Sequence, residues 1–251
     1  MTGANRGIGL AIAQRLAREP VRLLAGVREP DRYEAIDTGR ASEVRPVRMD
    51  LSSRESIAAC LDELGDERDR IDVLVNNAGE FTAGELEEQD LDVIYELMQA
   101  NLLGPIHLVH QILPRMLRRG EGKIVNCSSI IGYVHFPGVT TYSASKSGLT
   151  GFTESLRREL AETPVSTLHV VTGGIDTDML DDAKRTLDPN FSDTSNWDQY
   201  TPEEWADKVV EAISDDDEVL GPGGKSALGK LASHLPKAVL DTLSSRAFHR
   251  A

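Results

Sequence analysis

The feature that most restricts the fold of this chain is the repeated alternation of short apolar strands with helical segments. Helical segments lie between most of the strands, so successive strands pair in parallel through right-handed crossovers. We therefore predict an α/β fold with a doubly wound parallel sheet of the Rossmann type, covered by helices on both faces to give three layers. β-Branched and apolar segments predict strands at 21–27, 42–49, 71–75, 123–126 and 165–171.

Several side chains mark the ends and edges of these elements. Pro46 lies within the strand at 42–49 and predicts an edge strand, because proline cannot donate a ladder hydrogen bond. Ser52 or Ser53 can cap the next helix, and Thr201 followed by Pro202 marks another helix start. Predicted helices cover 10–18, 53–64, 85–98, 101–119, 142–162 and 201–213.

The composition limits the classes of function. A net charge of −14 disfavours non-specific binding to nucleic acid or anionic lipid, so no nucleic-acid partner is expected. Two cysteines, Cys60 and Cys127, are too few for a disulfide framework and suit a reducing compartment, so we expect a cytoplasmic protein. The sequence shows neither an apolar run long enough for a transmembrane segment nor a cluster of metal ligands, so no metal is expected.

A glycine-rich turn precedes the first predicted helix. Glycines stand at positions 3, 7 and 9 of the run Thr2-Gly3-Ala4-Asn5-Arg6-Gly7-Ile8-Gly9. Such a turn lets the backbone approach a pyrophosphate closely, and the helix N-terminus that follows offers free N–H groups and the positive end of its dipole. The turn therefore indicates a dinucleotide site, although a glycine trio by itself is a weak signal.

Two arginines indicate which dinucleotide the turn would bind. Arg28 directly follows the strand at 21–27, whose carboxyl end faces the adenosine ribose in dinucleotide-binding folds. An arginine there suits the 2′-phosphate of NADP, whereas an acidic residue would accept the 2′-hydroxyl of NAD. Arg6 in the glycine turn offers a second cation. The pattern favours NADP(H) over NAD(H), and the alternative is a pair of solvated surface arginines.

A tyrosine and a lysine stand four residues apart on a predicted helix. At this spacing Tyr142 and Lys146 lie one above the other on the same helix face. A free phenol has a pKa near 10, and a nearby lysine cation stabilises the phenolate and lowers that pKa toward the working range. The pair alone occurs often by chance on exposed helices, so its meaning depends on the motifs around it.

The order of these motifs resembles the short-chain dehydrogenase/reductase family, in its compact single-domain branch. The resemblance covers residues 2 to about 220. It implies an NAD(P)-dependent oxidoreductase that interconverts a carbonyl and a primary or secondary alcohol by hydride transfer. The matching motifs, in chain order, are Thr2-Gly3-x3-Gly7-x-Gly9, Asp50-Leu51, Asn76-Asn77-Ala78-Gly79, Asn101, Ser129 and Tyr142-x3-Lys146.

The resemblance implies roles for four catalytic residues. Tyr142 would be the general acid–base, and Ser129 would hydrogen-bond the reacting oxygen. Lys146 would lower the pKa of the tyrosine and bind the nicotinamide ribose. Asn101 would hold a water that relays protons to the lysine. Ser129 is preferred over Ser128 because it stands 13 residues before Tyr142, the usual spacing in the family.

The resemblance also implies a set of cofactor contacts. Thr172 departs from the family pattern, because it stands where a proline usually precedes the glycine after the last long strand. Thr177 still matches the residue that contacts the nicotinamide amide or the phosphates. The implied cofactor-binding residues are Gly3, Asn5, Arg6, Gly7, Ile8, Gly9, Arg28, Asp50, Leu51, Asn77, Ala78, Gly79, Tyr142, Lys146, Gly173, Ile175 and Thr177.

The predicted single domain divides into three parts. A cofactor half spans about 1–125, a catalytic and substrate half about 126–224, and an amphipathic helical tail 225–251. Residues 177–200 would line the substrate site as a lid, and their scattered apolar side chains favour a lipophilic carbonyl or alcohol substrate. The resemblance implies a homodimer or homotetramer, formed through the helices at 101–119 and 142–162.

A central strand that the resemblance places ahead of the glycine turn has no room in the printed sequence. We therefore expect a sheet with unpaired central backbone groups, each costing about 1–3 kcal/mol. The alternative function is accordingly an N-terminally truncated, catalytically impaired NADP-binding or structural protein of the same type. A third class, the sugar-nucleotide epimerases and dehydratases, shares the tyrosine–lysine pair but uses another glycine spacing and a larger C-terminal domain.

Overall fold

The computed structural model describes residues 1–175 and 199–222. The strands are β1 (Arg22–Val27), β2 (Glu43–Arg48), β3 (Val73–Asn76), β4 (Gly122–Ser129), β5 (Val165–Thr172), β6 (Gly174–Ile175), β7 (Gln199–Tyr200) and β8 (Val219–Leu220). The α-helices are α1 (Gly7–Leu16), α2 (Arg54–Leu64), α3 (Leu91–Met98), α4 (Gly104–Arg119), α5 (Thr140–Glu159) and α6 (Pro202–Ser214). Short 3₁₀ turns occur at Pro30–Arg32, Gly65–Arg70, Leu86–Glu88 and Ile130–Gly132.

All strand pairs in the described residues are parallel, as the alternating pattern predicted. Strands β3, β4, β5 and β8 are hydrogen-bonded in that order, and β1 pairs with β2. The short strands β6 and β7 form a separate parallel pair. Strand β2 has β1 as its partner in the described part of the chain, which places Pro46 on an edge strand as predicted.

Met1 and Thr2 connect the two main groups of strands. Thr2 forms a parallel bridge with Gly26 of β1, and its N–H donates to the Val75 carbonyl of β3 at 2.9 Å. The Gly26 N–H donates to the Met1 carbonyl at 2.8 Å, and the terminal ammonium donates to the Leu24 carbonyl at 2.8 Å. The position between β1 and β3, which the sequence left without a strand, therefore contains two paired residues at its carboxyl end.

Helices cover both faces of the sheet and bury two apolar clusters. On one face, α2, α4 and α5 pack on β3 and β4 through side chains such as Leu61, Ile112 and Ile124. On the other face, α1 and α6 pack on the sheet through Ile12 and Trp205 among others. The three-layer α/β architecture is confirmed. It directs the carboxyl ends of β1, β3, β4 and β5 toward the same edge, where the glycine turn lies.

Some element boundaries differ from the predicted ones. The helix predicted at 85–98 is a 3₁₀ turn followed by α3, and a π-helical turn at Gln99–Leu103 joins α3 to α4. Pro105 stands in the first turn of α4, where a missing N–H costs little, so α4 starts at Gly104 instead of breaking there. Helix α1 starts at Gly7, three residues earlier than predicted.

Helix caps were predicted correctly. The Ser53 hydroxyl accepts a hydrogen bond from the Ser56 N–H at 3.1 Å and caps α2. Thr201 and Glu204 form a reciprocal capping box at the start of α6. Most of the lid predicted at 177–200, including Thr177, lies outside the described residues, and its last two residues form β7. The helical tail at 225–251 also lies outside the described residues.

The described residues contain neither a candidate membrane span nor a candidate metal-binding cluster. None of their helices is long and apolar enough to cross a membrane. No group of three histidine, cysteine, aspartate or glutamate side chains among them is arranged to hold a metal ion.

Candidate active site

The glycine turn packs directly against the end of β3. Gly3 has a φ of +68°, and a Cβ at this position would lie 2.8 Å from the Ala78 Cα. A Cβ on Gly9 would lie only 1.8 Å from the Gly3 carbonyl oxygen. Any larger residue at either position would push the turn away from the strand. The two glycines are therefore required by this close contact.

Thr2 and Asn77 hold the turn on the strand end by hydrogen bonds. The Thr2 hydroxyl accepts from the backbone N–H groups of Asn77 and Ala78, both at 3.1 Å. In return, the Asn77 side-chain amide donates to the carbonyls of Thr2 and Gly3, at 3.2 and 3.3 Å. These bonds fix the path along which the backbone enters α1.

The start of α1 gives the turn a positive electrostatic character. Arg6 is the N-cap residue of α1 and forms no side-chain cap within the described residues, so the first-turn N–H groups remain available. The side chains of Arg6 and Arg28 are both more than half exposed and converge on Glu80. Arg28 Nη1 lies 3.0 Å from Glu80 Oε1, and Arg6 Nη2 lies 3.9 Å from Glu80 Oε2.

A cleft of about 350 Å³ extends from the two arginines to the tyrosine–lysine pair. Asp50 lies on its wall, and one carboxylate oxygen accepts from the Ser52 N–H at 3.0 Å and from its hydroxyl at 2.8 Å. The lining contains most of the cofactor contacts predicted from the sequence: Gly3, Asn5, Arg6, Gly7, Ile8, Gly9, Arg28, Asp50, Leu51, Asn77, Ala78, Gly79, Tyr142 and Lys146.

Tyr142 lies in the first turn of α5 at the inner end of the cleft. Its side chain is buried beside Leu97 and Val139, and its ring packs edge-on against Phe81 with the ring centroids 4.9 Å apart. Burial raises the pKa of Tyr142 to about 12, and the nearby Ser129 hydroxyl acts in the opposite direction. The phenol is therefore protonated at neutral pH and can donate a proton.

Lys146 is buried one helical turn after the tyrosine. Its ammonium donates to the Cys127 carbonyl at 3.2 Å and lies 5.8 Å from the centroid of the Tyr142 ring. Burial lowers the pKa of Lys146 to about 8. The sequence analysis expected this cation to lower the pKa of the tyrosine. In the folded protein the pKa of Tyr142 is raised above its ordinary value instead, because desolvation of the buried phenol outweighs its favourable contacts.

The two serines at the end of β4 point in different directions. The Ser128 hydroxyl donates to the Lys146 carbonyl at 3.2 Å and shares a 2.9 Å hydrogen bond with Thr150. The Ser129 hydroxyl accepts from the Ile131 N–H at 3.2 Å and lies near the phenol of Tyr142. Of the two hydroxyl groups, it is therefore that of Ser129 that lies beside the phenol.

Asn101 is buried in the π-helical turn between α3 and α4. Its Oδ1 accepts from the Glu80 N–H at 2.7 Å, and its Nδ2 donates to the Glu80 carbonyl at 2.8 Å and to the Ser145 hydroxyl at 3.1 Å. Both ends of the amide are thus engaged by protein groups. Asn101 connects the loop after β3 to the helix that carries the tyrosine–lysine pair.

Two further predicted residues, Gly173 and Ile175, follow the last residue of β5 and are not among the residues that line the cleft. Thr172, which replaces the expected proline, lines the cleft and donates through its hydroxyl to the Ser128 carbonyl at 2.8 Å. Gly173 follows it, and Ile175 is buried in β6. The hydrogen bond between Thr172 and Ser128 fixes the start of the loop after β5, where the rigid ring of a proline was expected.

Comparison with known proteins identifies the family of this chain. The sequence profile of the family described as short chain dehydrogenase matches residues 1–188. The chain belongs to the short-chain dehydrogenase/reductase family. It is therefore an NAD(P)-dependent dehydrogenase/reductase.

Characterised members of the family are similar in sequence and in structure. A 3-oxoacyl-(acyl-carrier-protein) reductase of Aquifex aeolicus is 36% identical over 183 residues, 71% of this chain and 74% of that protein. A ketoacyl reductase of Nostoc is 31% identical over 216 residues, 85% of this chain and 74% of that protein. A short-chain dehydrogenase from Burkholderia cenocepacia, solved in complex with NADP, has a TM-score of 0.78 at 26% identity and covers 96% of this chain and 94% of its own.

Three residues of this short-chain dehydrogenase/reductase site were missing from the predicted set. Thr2 bonds the strand end, Phe81 packs on Tyr142, and Glu80 pairs with both arginines. The positions of Glu80 and Phe81, directly after Asn76-Asn77-Ala78-Gly79 at the carboxyl end of a predicted strand, were a usable signal, because side chains there face the same edge of the sheet.

Proposed function

We propose that this protein is an NADP(H)-dependent oxidoreductase that interconverts a carbonyl and an alcohol, with Tyr142 as the general acid–base. The observation that carries the proposal is one continuous cleft with a cationic end and a proton-transfer end. Arg6 and Arg28 lie at the first end, and Tyr142 and Lys146 lie at the second. The alternative, a catalytically impaired NADP-binding or structural protein of the same family, would have both ends of the cleft but show no turnover.

The residues at the cationic end fit a phosphorylated dinucleotide. The backbone of the glycine turn lines the cleft, the N-terminus of α1 offers N–H groups, and two guanidinium groups stand where the adenosine ribose is expected. Solved relatives from Burkholderia cenocepacia and Sphingobium yanoikuyae are in complex with NADP and NADPH, respectively. These features support a preference for NADP(H) over NAD(H).

The residues at the proton-transfer end of the cleft would transfer the proton and position the reacting oxygen. When bound, the nicotinamide supplies a hydride to the carbonyl carbon or accepts one from the alcohol. Tyr142 would donate its phenolic proton to the carbonyl oxygen during reduction. Its raised pKa keeps the phenol protonated at neutral pH, and the negative charge that develops on the carbonyl oxygen would draw the proton across. The Ser129 hydroxyl would hydrogen-bond the same oxygen. The Lys146 cation would stabilise the phenolate that remains and hold the nicotinamide ribose.

Asn101 would act on the geometry of the site. Its amide fixes the backbone of Glu80 and contacts Ser145 one residue before the lysine. A water relaying protons to Lys146, as the resemblance implied, would have to bind beside this amide because both of its ends are already engaged. Variants of Asn101 should therefore lose both the loop position and the proton path.

The substrate belongs to the carbonyl or alcohol class, and the relatives suggest where to begin a search. Several are named as 3-oxoacyl-(acyl-carrier-protein) reductases, and another as a ketoacyl reductase. A panel for this protein should accordingly contain a 3-oxoacyl thioester beside simple lipophilic ketones and aldehydes.

NADPH oxidation against this panel tests the proposal. Tyr142→Phe removes the transferable proton while keeping the ring that packs on Phe81, so turnover should fall at least about a hundredfold. Tyr95→Phe, at an exposed tyrosine of α3, is the matched control and should keep wild-type turnover. Near-normal turnover of Tyr142→Phe would refute the role of the tyrosine. Binding of NADPH without oxidation by any substrate would favour the alternative.

We also propose that the protein forms a homodimer or homotetramer. Exposed apolar side chains on and after α3, including Leu91, Val93 and Leu103, support a protein-covered surface beside α4. Light scattering coupled to size-exclusion chromatography measures the mass directly. A monomeric mass at micromolar concentration would contradict this proposal.

A further inference from the structure

Glu80 occupies the cationic end of the cleft and is held there by its backbone. Asn101 accepts a hydrogen bond from the Glu80 N–H at 2.7 Å and donates one to its carbonyl at 2.8 Å. Because both backbone groups of one residue are fixed by one buried amide, the loop cannot easily carry Glu80 away from the cleft. Any change of position must therefore take place in the side chain.

The Glu80 carboxylate bridges the two arginines that are proposed to bind the cofactor. Its two oxygens lie 3.0 Å from Arg28 Nη1 and 3.9 Å from Arg6 Nη2. The glutamate side chain is 38% exposed and the arginine side chains are 58% and 62% exposed, so each pair is solvated and weak. The carboxylate thus pairs with both arginines but binds neither of them tightly.

We propose that Glu80 is an internal competitor for the 2′-phosphate of NADP(H) and sets the discrimination between NADP(H) and NAD(H). This inference rests on the proposed function. A 2′-phosphate carries up to two negative charges, and its approach to Arg6 and Arg28 requires the single-charged carboxylate to turn away. NAD(H) lacks that phosphate and leaves the ion pairs in place. Glu80 therefore weakens the binding of NADP(H) more than that of NAD(H).

Removing the charge at constant shape isolates this effect. Glu80→Gln keeps the backbone bonds to Asn101 and frees both guanidinium groups for the phosphate. We expect the variant to bind NADPH about three- to tenfold more tightly than the wild type, the size of one or two exposed ion pairs. The affinity for NADH should change much less, so the ratio of the two dissociation constants should shift toward NADPH.

Glu43→Gln is the matched control. Glu43 is also part-exposed, at 41%, and it likewise contacts two arginines, Arg22 and Arg45, on β1 and β2 away from the cleft. The substitution makes the same change in net charge. It should leave both dissociation constants at their wild-type values.

Fluorescence titration of the three proteins with NADPH and NADH at one fixed salt concentration gives the answer. A shift of the ratio in Glu80→Gln and not in Glu43→Gln supports the proposal. Equal ratios in all three proteins, or weaker NADPH binding by a folded Glu80→Gln, overturn it. Binding of NADPH without turnover would remove the proposed oxidoreductase activity and leave the role of Glu80 intact, whereas no binding of either cofactor to any of the proteins would remove both.

Discussion

Tyr142 and Lys146 show how burial tunes a proton-transfer pair. Desolvation disfavours the charged form of each group, which raises the pKa of the phenol to about 12 and lowers that of the ammonium to about 8. The lysine therefore changes charge nearer to neutral pH than the tyrosine does. A bound substrate oxygen and the Ser129 hydroxyl would supply the contacts that favour the phenolate during turnover.

The buried cation of Lys146 should leave a signature in the pH dependence of stability. Between about pH 8 and pH 10.5 the folded protein has released this proton while the unfolded chain still binds it, so stability rises with pH across that interval. Lys146→Met removes the titrating group. The stability of the variant relative to the wild type should therefore be greatest below pH 8 and fall by on the order of 3 kcal/mol toward pH 10.5.

Urea unfolding at pH 7, 8, 9 and 10 measures this change, and Lys208→Met serves as the control. Lys208 is exposed on α6, so its replacement shows the effect of losing a lysine that is not buried. The change of the stability difference with pH is the informative quantity. Lost packing or a lost hydrogen bond to Cys127 would shift the stability of Lys146→Met by the same amount at every pH. A stability difference that does not change with pH would show that burial does not lower the pKa of Lys146.

At the scale of elements, the glycine turn and α1 act as one unit that is fitted to the end of β3. The Asn77 amide, the Thr2 hydroxyl and the backbone at Gly3 hold the unit together. Small residues are needed in the turn because the turn, the start of α1 and the end of β3 pack closely against one another. The same path of the backbone leaves the first N–H groups of α1 available. The ability of the turn to bind phosphate therefore depends on its packing against the end of β3.

Gly9→Ala tests this dependence. The new methyl group would lie 1.8 Å from the Gly3 oxygen and 2.5 Å from the Asn77 amide nitrogen, so the turn must move. We expect a loss of about 1–3 kcal/mol of stability, as in overpacked cores, together with weaker NADPH binding. Gly151→Ala is the control, since nothing lies within 4 Å of the added methyl group in α5, and it should stabilise by about 0.5–1 kcal/mol. Calorimetry and NADPH titration measure both variants, and equal behaviour would contradict a packed turn.

The elements that the sequence predicted well are those encoded by local patterns. The long strands, the caps at Ser53 and Thr201, and the cleft-lining glycines follow from periodicity, hydroxyl positions and turn chemistry. The π-helical turn at Gln99–Leu103 was missed because no local residue pattern distinguishes it from an α-helix. Glu80 was missed because its role arises from cations on two other elements, and the raised pKa of Tyr142 arises from burial that spacing alone cannot reveal.

At the scale of the whole molecule, the sheet consists of two groups of strands that meet at one short contact. Thr2 pairs with Gly26 on one side and with Val75 on the other. One residue earlier, Met1 is hydrogen-bonded to Leu24 and Gly26 of β1. In a chain that begins at Met1, burial lowers the pKa of the Met1 amine to about 6, so the stability of that chain should rise with pH from about 6 to 8.

An extension of the printed chain by five β-forming residues ahead of Met1 should join the two groups into one continuous sheet. Each new backbone hydrogen bond contributes about 0.5–1.5 kcal/mol, and each kcal/mol raises the Tm of a domain of this size by about 2–4 °C. An extension of alternating glycine and serine with equal length is the control, because it also converts the terminal amine to an amide but has little tendency to form a strand. Both extensions should remove the part of the pH dependence between 6 and 8 that comes from the Met1 amine, and only the β-forming one should raise the Tm at pH 8 by several degrees. The same Tm for both would mean that the two groups of strands are already held together by the helices on the two faces, and that pairing between β1 and β3 adds nothing to the stability of the fold.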